Sequence, residues 1–94
     1  MLYKIRNATK KKKTDTSVIG RVVDFNLYEI RKYLGSNEHV FIKCISDCNG
    51  VPYPKGQNVK MRLNGVVSVN WFFDKKVVVI EDRNTVYTFD RIRQ

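Results

Sequence analysis

One histidine, two cysteines and two prolines are all that these 94 residues carry of those types. No apolar run approaches the roughly 18 residues that a membrane-spanning helix needs, and no signal-peptide core opens the chain. Two thiols do not make a disulfide framework, and with a single imidazole they leave a tetrahedral zinc site short of its fourth ligand. Cys44 lies inside an apolar strand pattern and Cys48 in the loop after it, so both are read as reduced, one buried and one exposed. This usage, with no targeting segment or membrane partner, points to a cytoplasmic protein. There is also no glycine-rich phosphate loop, no H-E-x-x-H and no nucleophile elbow. A pair of His39 with either cysteine is the weaker reading, because a strand thiol fills core. The chain is therefore read as a non-enzyme with no catalytic residue, no metal and no cofactor.

Acidic residues are scarce as well. Nine Asp and Glu stand against 18 Lys and Arg, a net charge of +9. Such an excess favours anionic partners, DNA or RNA first and then an acidic protein surface, although it also serves solubility. The length allows one domain, 1–94, which buries roughly two-thirds of the surface its unfolded chain exposes.

Most of the chain has strand character. "LYKIRN" alternates at the N-terminus, and "SVIGRVVDF" (17–25) is rich in β-branched residues with Gly20 placed for a bend. One helix is expected after Phe25 in "NLYEIRKYLG". Asn26 is its N-cap, Glu29 the capping-box partner and Gly35 the stop, with Leu27, Ile30 and Leu34 as an apolar stripe. "HVFIKCIS" (39–46) is the next strand, followed by the turn-rich "DCNGVPYPKGQN". The last four runs, 59–63, 66–73, 76–82 and 85–92, are separated by "NG", "DK" and "RN" and predict an antiparallel four-strand meander. At "NG" a three-residue loop with Gly65 at positive φ would pair Met61 with Val67 and Val59 with Val69, joining apolar to apolar. The fold class is thus mostly β with one short helix: a small, strongly curved antiparallel sheet or partly open barrel. Trp71 and Phe73 are read as the centre of its core, and the adjacent Glu81 and Asp82 as a solvated turn.

The sharpest motif is "ATKKKKTDT", residues 8–16. Lys10, Lys11, Lys12 and Lys13 lie on a flexible strand-to-strand loop, with Arg6 just before and Arg21 just after. Mobile lysine charges suit phosphates without reading base sequence; the plain alternative is a charged loop that keeps the protein soluble. A second basic set lies on strands: Lys60 with Arg62 on one face, Arg91 with Arg93, and Lys75 with Lys76 at a hairpin. Tyr28, Tyr33, Tyr53 and Tyr87 could stand among these charges as stacking platforms. Tyr53, between Pro52 and Pro54, has the least reason to be buried, and with Tyr33 it is the candidate partner contact.

The tail "VVSVNWFFDKKVVVIEDRNTVYTFDRI" resembles the closing hairpins of small β-rich accessory proteins from phages and mobile elements of low-GC Gram-positive bacteria. The resemblance implies an inhibitor or adaptor acting in a bacterial cytoplasm, and it assigns no site residue. Two functional readings follow. One is a nucleic-acid or nucleoprotein binder that holds phosphates non-specifically through Arg6, Lys10–Lys13, Arg21, Lys60 and Arg62. The other is an inhibitor or adaptor, for example an anti-defence factor, that docks on an acidic host protein. Exposed aromatics interleaved with cations on a concave face would favour the first, and a dry convex patch the second.

Overall fold

The computed structural model describes residues 1–10 and 13–92. Its elements are β1 (Leu2–Lys10), β2 (Lys13–Thr14), β3 (Val22–Asp24), α1 (Leu27–Arg31), β4 (His39–Ser46), β5 (Lys60–Asn64), β6 (Val66–Phe72), β7 (Val77–Asp82) and β8 (Thr85–Arg91). The strands form one antiparallel sheet in the order β5-β4-β3-β1-β8-β7-β6, with β2 added to β1. Period-two alternation turns one residue in two toward a single core in β4, where Val40, Ile42, Cys44 and Ser46 are buried. The core centre is aromatic. Tyr3 stacks on Phe25 with ring centroids 4.4 Å apart, and Phe89 meets Phe25 edge-on at 5.1 Å.

The helix starts at the expected cap but ends at Arg31, with Lys32 as its C-cap, before the expected stop at Gly35. Asn26 accepts hydrogen bonds from the amides of Tyr28 (2.9 Å) and Glu29 (3.3 Å), and Gly35 closes the following turn at φ +76°. Glu29 turns to Lys32, at 3.8 Å, rather than back to the cap. Leu27 and Ile30 enter the core, whereas Leu34, expected on the same stripe, stays exposed and bridges to Val66.

The fold class is the expected one, but the meander has three strands, β6-β7-β8. β5 pairs with β4 instead of β6, with Val40 opposite Leu63 and Ile42 opposite Met61. The 61/67 and 59/69 pairings are therefore not formed. Both arrangements join apolar to apolar, so the local pattern did not separate them. Asn64 is tied instead to the β7–β8 turn: its N–H donates to Asp82 Oδ2 (3.0 Å), and its C=O accepts from Arg83 N–H (3.2 Å). Gly65 does take the expected positive φ, +73°. As the only residue between β5 and β6, it bends one extended segment rather than closing a hairpin.

This corner sets the shape. β5 and β6 are the two end strands of the sheet, yet Asn64 and Val66 are at most about 7 Å apart through the chain. The sheet must therefore curl until its ends meet at one point, giving a partly open barrel with extents of 34 × 28 × 24 Å. Three further positions differ from the sequence reading. "SVIGRVVDF" is a strand only over Val22–Asp24, because residues 16–20 form turns and Gly20, at φ +94°, would put a Cβ 2.7 Å from the Cys48 carbonyl oxygen. Phe73 is 77% exposed and Trp71 only partly buried, so neither is the core centre. Asp82 is buried, at 2% exposure, while Glu81 keeps the outward position beside Ser68.

Asp82 is the clamp of this corner. Besides Asn64, its carboxylate accepts from the amides of Asn84 (2.9 Å) and Thr85 (2.7 Å). Charge-assisted bonds to buried donors are the costly ones to lose. Asp82→Ala is expected to destabilise the fold by about 2–4 kcal/mol in urea unfolding, and Asp82→Asn, which keeps one acceptor, by less. A loss below about 0.5 kcal/mol for the alanine variant would show that Asp82 does not clamp the corner.

Candidate nucleic-acid interface

The alternation that buries Val40, Ile42 and Cys44 sends His39, Phe41 and Lys43 outward from β4, and that of β5 sends Lys60 and Arg62 to the same side. The ladder makes Phe41 the cross-strand partner of Arg62, and Lys43 that of Lys60. Directly opposed like charges are unfavourable in a sheet, and here they concentrate positive potential beside an aromatic ring. Phe41 is 61% exposed. Among the described residues, none of Lys43, Lys60 and Arg62 has a carboxylate within salt-bridge distance; the nearest strand neighbour of opposite sign, Asp24, holds the Met1 amino group at 2.7 Å. Between this face and α1 runs a groove of about 460 Å³ lined by Glu29, Tyr33, His39, Phe41, Lys43 and Lys60 among others.

The expected site residues divide. Lys60, Arg62 and Tyr33 come together here. Lys10 and Lys13 are exposed cross-strand partners at the end of the β1–β2 hairpin, with Thr9 opposite Thr14; Lys11 and Lys12 lie outside the described residues, as does Arg93. The hairpin extends past the stretch of β1 that pairs with β3, so it is a separate basic element. Arg6 is not a free cation. Its guanidinium forms a two-point ion pair with Asp90 of β8, the Nε–Oδ2 bond measuring 2.9 Å. Arg21 is partly buried, its Nη1 4.0 Å from Cys44 Sγ and its Nε sequestered without a hydrogen-bond partner. Tyr53 packs partly buried on the core, and its N–H donates to the Ile45 carbonyl at 3.1 Å, so the proline-flanked aromatic fastens its loop down. Tyr87 is buried, and burial raises its phenol above the ordinary value of 10.0.

Sequence reasoning missed Phe41 and Lys43, and weighed His39 only as a partner for a cysteine. The signal was present in "HVFIKC", where an aromatic and two basic side chains occupy the outward positions of a strand whose inward positions are apolar. Among the described residues no three His, Cys, Asp or Glu side chains are placed to hold a metal ion, and no helix is long and apolar enough to cross a membrane.

At the level of class, the fold and this face define a small antiparallel β protein carrying a basic–aromatic strand surface. Comparison with protein-family models, curated proteins and solved structures gives no match for this chain.

The pairing of Arg6 has a measurable consequence. Hydrogen bonding to Arg6, with its nearby charge, holds the Asp90 carboxyl below the ordinary 3.8. A carboxyl depressed in the folded state adds stability above its unfolded value, and that stability is lost as pH falls through the depressed value. Asp90→Asn should therefore show a shallower loss of stability than the parent as pH drops below about 4 in acid-unfolding curves. Superimposable curves would show that this exposed pair contributes nothing.

Proposed function

We propose that the protein is a nucleic-acid-binding accessory protein that holds phosphates without reading sequence, and that its face is β4–β5. The observation that carries this is Phe41, exposed and set among Lys43, Lys60 and Arg62, none of which forms a salt bridge although Asp24 stands opposite Lys43. An aromatic ring flanked by Lys and Arg is the arrangement that stacks an unpaired base while neighbouring ammonium and guanidinium groups take the backbone. In this role Phe41 is the stacking platform. Lys43, Lys60 and Arg62 contact phosphates, and Tyr33 and His39 line the groove alongside. Lys10 and Lys13 of the β1–β2 hairpin supply long-range attraction rather than a fixed contact, because a lysine offers a point charge rather than a rigid fork of donors. Arg6, neutralised by Asp90, has no role in it.

A second reading, an inhibitor or adaptor for an acidic protein, is favoured by one other feature. Phe72 and Phe73 are exposed at the β6–β7 turn, beside Lys75 and Lys76. Aromatics of this kind anchor protein interfaces, but here they lie apart from the β4–β5 cations, across the sheet order.

The test is fluorescence anisotropy with labelled oligo(dT) and a duplex of equal length across a salt series. Single strands should bind more tightly. Phe41→Ala should cost about 1–3 kcal/mol on single strands and little on duplex. The triple replacement of Lys43, Lys60 and Arg62 by Ser should flatten the logarithmic salt slope by about 2, since each phosphate left without a cation removes about 0.7. Equal binding by Phe41→Ala and the parent, or no binding at low salt, would reject this face.

A further inference from the structure

We propose that the groove between α1 and the outer face of β4 and β5 is a guanine subsite, with Glu29 accepting hydrogen bonds from the edge of the base. The inference rests on the nucleic-acid reading and adds a preference at one nucleotide, while the phosphate contacts still read no sequence. In a capping box a glutamate at this position turns back onto the backbone N–H of the cap. Glu29 departs from that pattern. Asn26 caps the helix by itself, its Oδ1 taking the amides of Tyr28 and Glu29. The Glu29 side chain lines the groove at 66% exposure, and its charged contact among the described residues is Lys32 Nζ at 3.8 Å. An exposed pair of this kind is weak enough to yield to a ligand.

The groove has two unlike walls. Phe41, Lys43 and Lys60 stand on the sheet side, with Lys43 and Lys60 as ladder partners. Asp24 and Glu29 stand on the other, where Ile30 and Tyr33 add apolar surface. Carboxylates repel phosphate, so the backbone of a bound strand stays at the lysines and the neutral base is the part that enters. A base stacked on Phe41 then has its edge in the groove, whose volume of about 460 Å³ falls in the range of small-ligand sites. Of the two acids Asp24 is already engaged, since its Oδ1 holds the Met1 amino group at 2.7 Å. Glu29 is left to read the base.

The edge chemistry selects which base. An ionised carboxylate only accepts, and it binds best to two donors set side by side. Guanine alone among the bases presents that pair on its Watson–Crick edge, N1–H beside the 2-amino group. Adenine and cytosine each set one amino donor next to a ring nitrogen that accepts. Thymine and uracil hold a single N–H between two carbonyls, and these turn their lone pairs toward the carboxylate.

Fluorescence anisotropy tests the subsite, with labelled oligo(dT) and the same strand carrying one central guanine. The guanine strand is expected to bind about five- to tenfold more tightly, the lower end of what a bidentate base contact discriminates, because the groove is open to water. Both strands carry the same phosphates, so this ratio should hold across a salt series while both affinities fall. Hypoxanthine at the central position keeps N1–H but lacks the amino group, and it should recover part of the gain. Glu29→Gln should bring the two strands within about twofold of each other. It should also tighten oligo(dT) slightly, since it removes a negative charge beside the phosphates. Glu38→Gln removes the same charge outside the groove lining and should keep the preference. Equal affinity of the parent for the two strands, or a preference that survives Glu29→Gln, would overturn the guanine subsite and leave the β4–β5 face standing. No binding of either strand at low salt would reject both.

Discussion

Everything in this fold turns on the contact between Asp82 and the bend at Asn64–Gly65. Two strands that follow each other in the chain sit at opposite ends of the sheet, and a single residue joins them. The free energy that makes this worthwhile comes from elsewhere, mainly the aromatic and aliphatic core of Tyr3, Phe25, Ile42, Leu63, Ile80 and Phe89. The Asp82 carboxylate makes the geometry specific. It gathers the amide of Asn64 and those of Asn84 and Thr85, so the β7–β8 turn and the β5–β6 bend close as one unit. Arg83 continues the brace by donating to the side chain and carbonyl of Asn37 at 3.0 and 3.1 Å.

Because the sheet curls but does not close, it has an inside, an outside and two unequal edges. The inside is fully committed to packing. The outside is chemically divided along the strand order. Toward β4 and β5 it carries His39, Phe41, Lys43, Lys60 and Arg62; toward β6 and β7 it carries Phe72, Val77 and Val79. A net charge of +9 alone does not locate a binding surface, and the pairing of the charges narrows it. Arg6 is neutralised by Asp90, while Lys43, Lys60 and Arg62 form no salt bridge and Lys60 has Lys43 as its ladder partner. The binding proposal rests on that asymmetry more than on the count of basic residues.

Much of this architecture could be read from residues alone, because alternation and caps are local. The strands expected at 39–46, 59–63 and 85–92 are found at 39–46, 60–64 and 85–91, and the helix starts where Asn26 caps it but ends at Arg31, short of Gly35. What could not be read was non-local. Met61 and Leu63 fit β4 as well as β6, so the pattern was blind to the partner. Asp82 resembled any acid beside a hairpin until three amides were found converging on it. Phe73 looked like core by its apolarity, yet it sits one residue past the last ladder pair, where a left-handed turn points it outward. For the candidate site, Lys60, Arg62 and Tyr33 were legible. Phe41 and Lys43 were passed over because a strand with an apolar inner face drew attention away from its outer one, and four adjacent lysines drew it toward the hairpin.

That nucleic acid meets the outer face of β4 and β5 is the central claim. The most direct measurement is a backbone-amide NMR titration of the intact protein with oligo(dT) at low salt. The largest shifts are expected on residues 39–43 and 60–64, with smaller ones on the β1–β2 hairpin. Shifts confined to β6–β8, or an unchanged spectrum at saturating oligonucleotide, would contradict it.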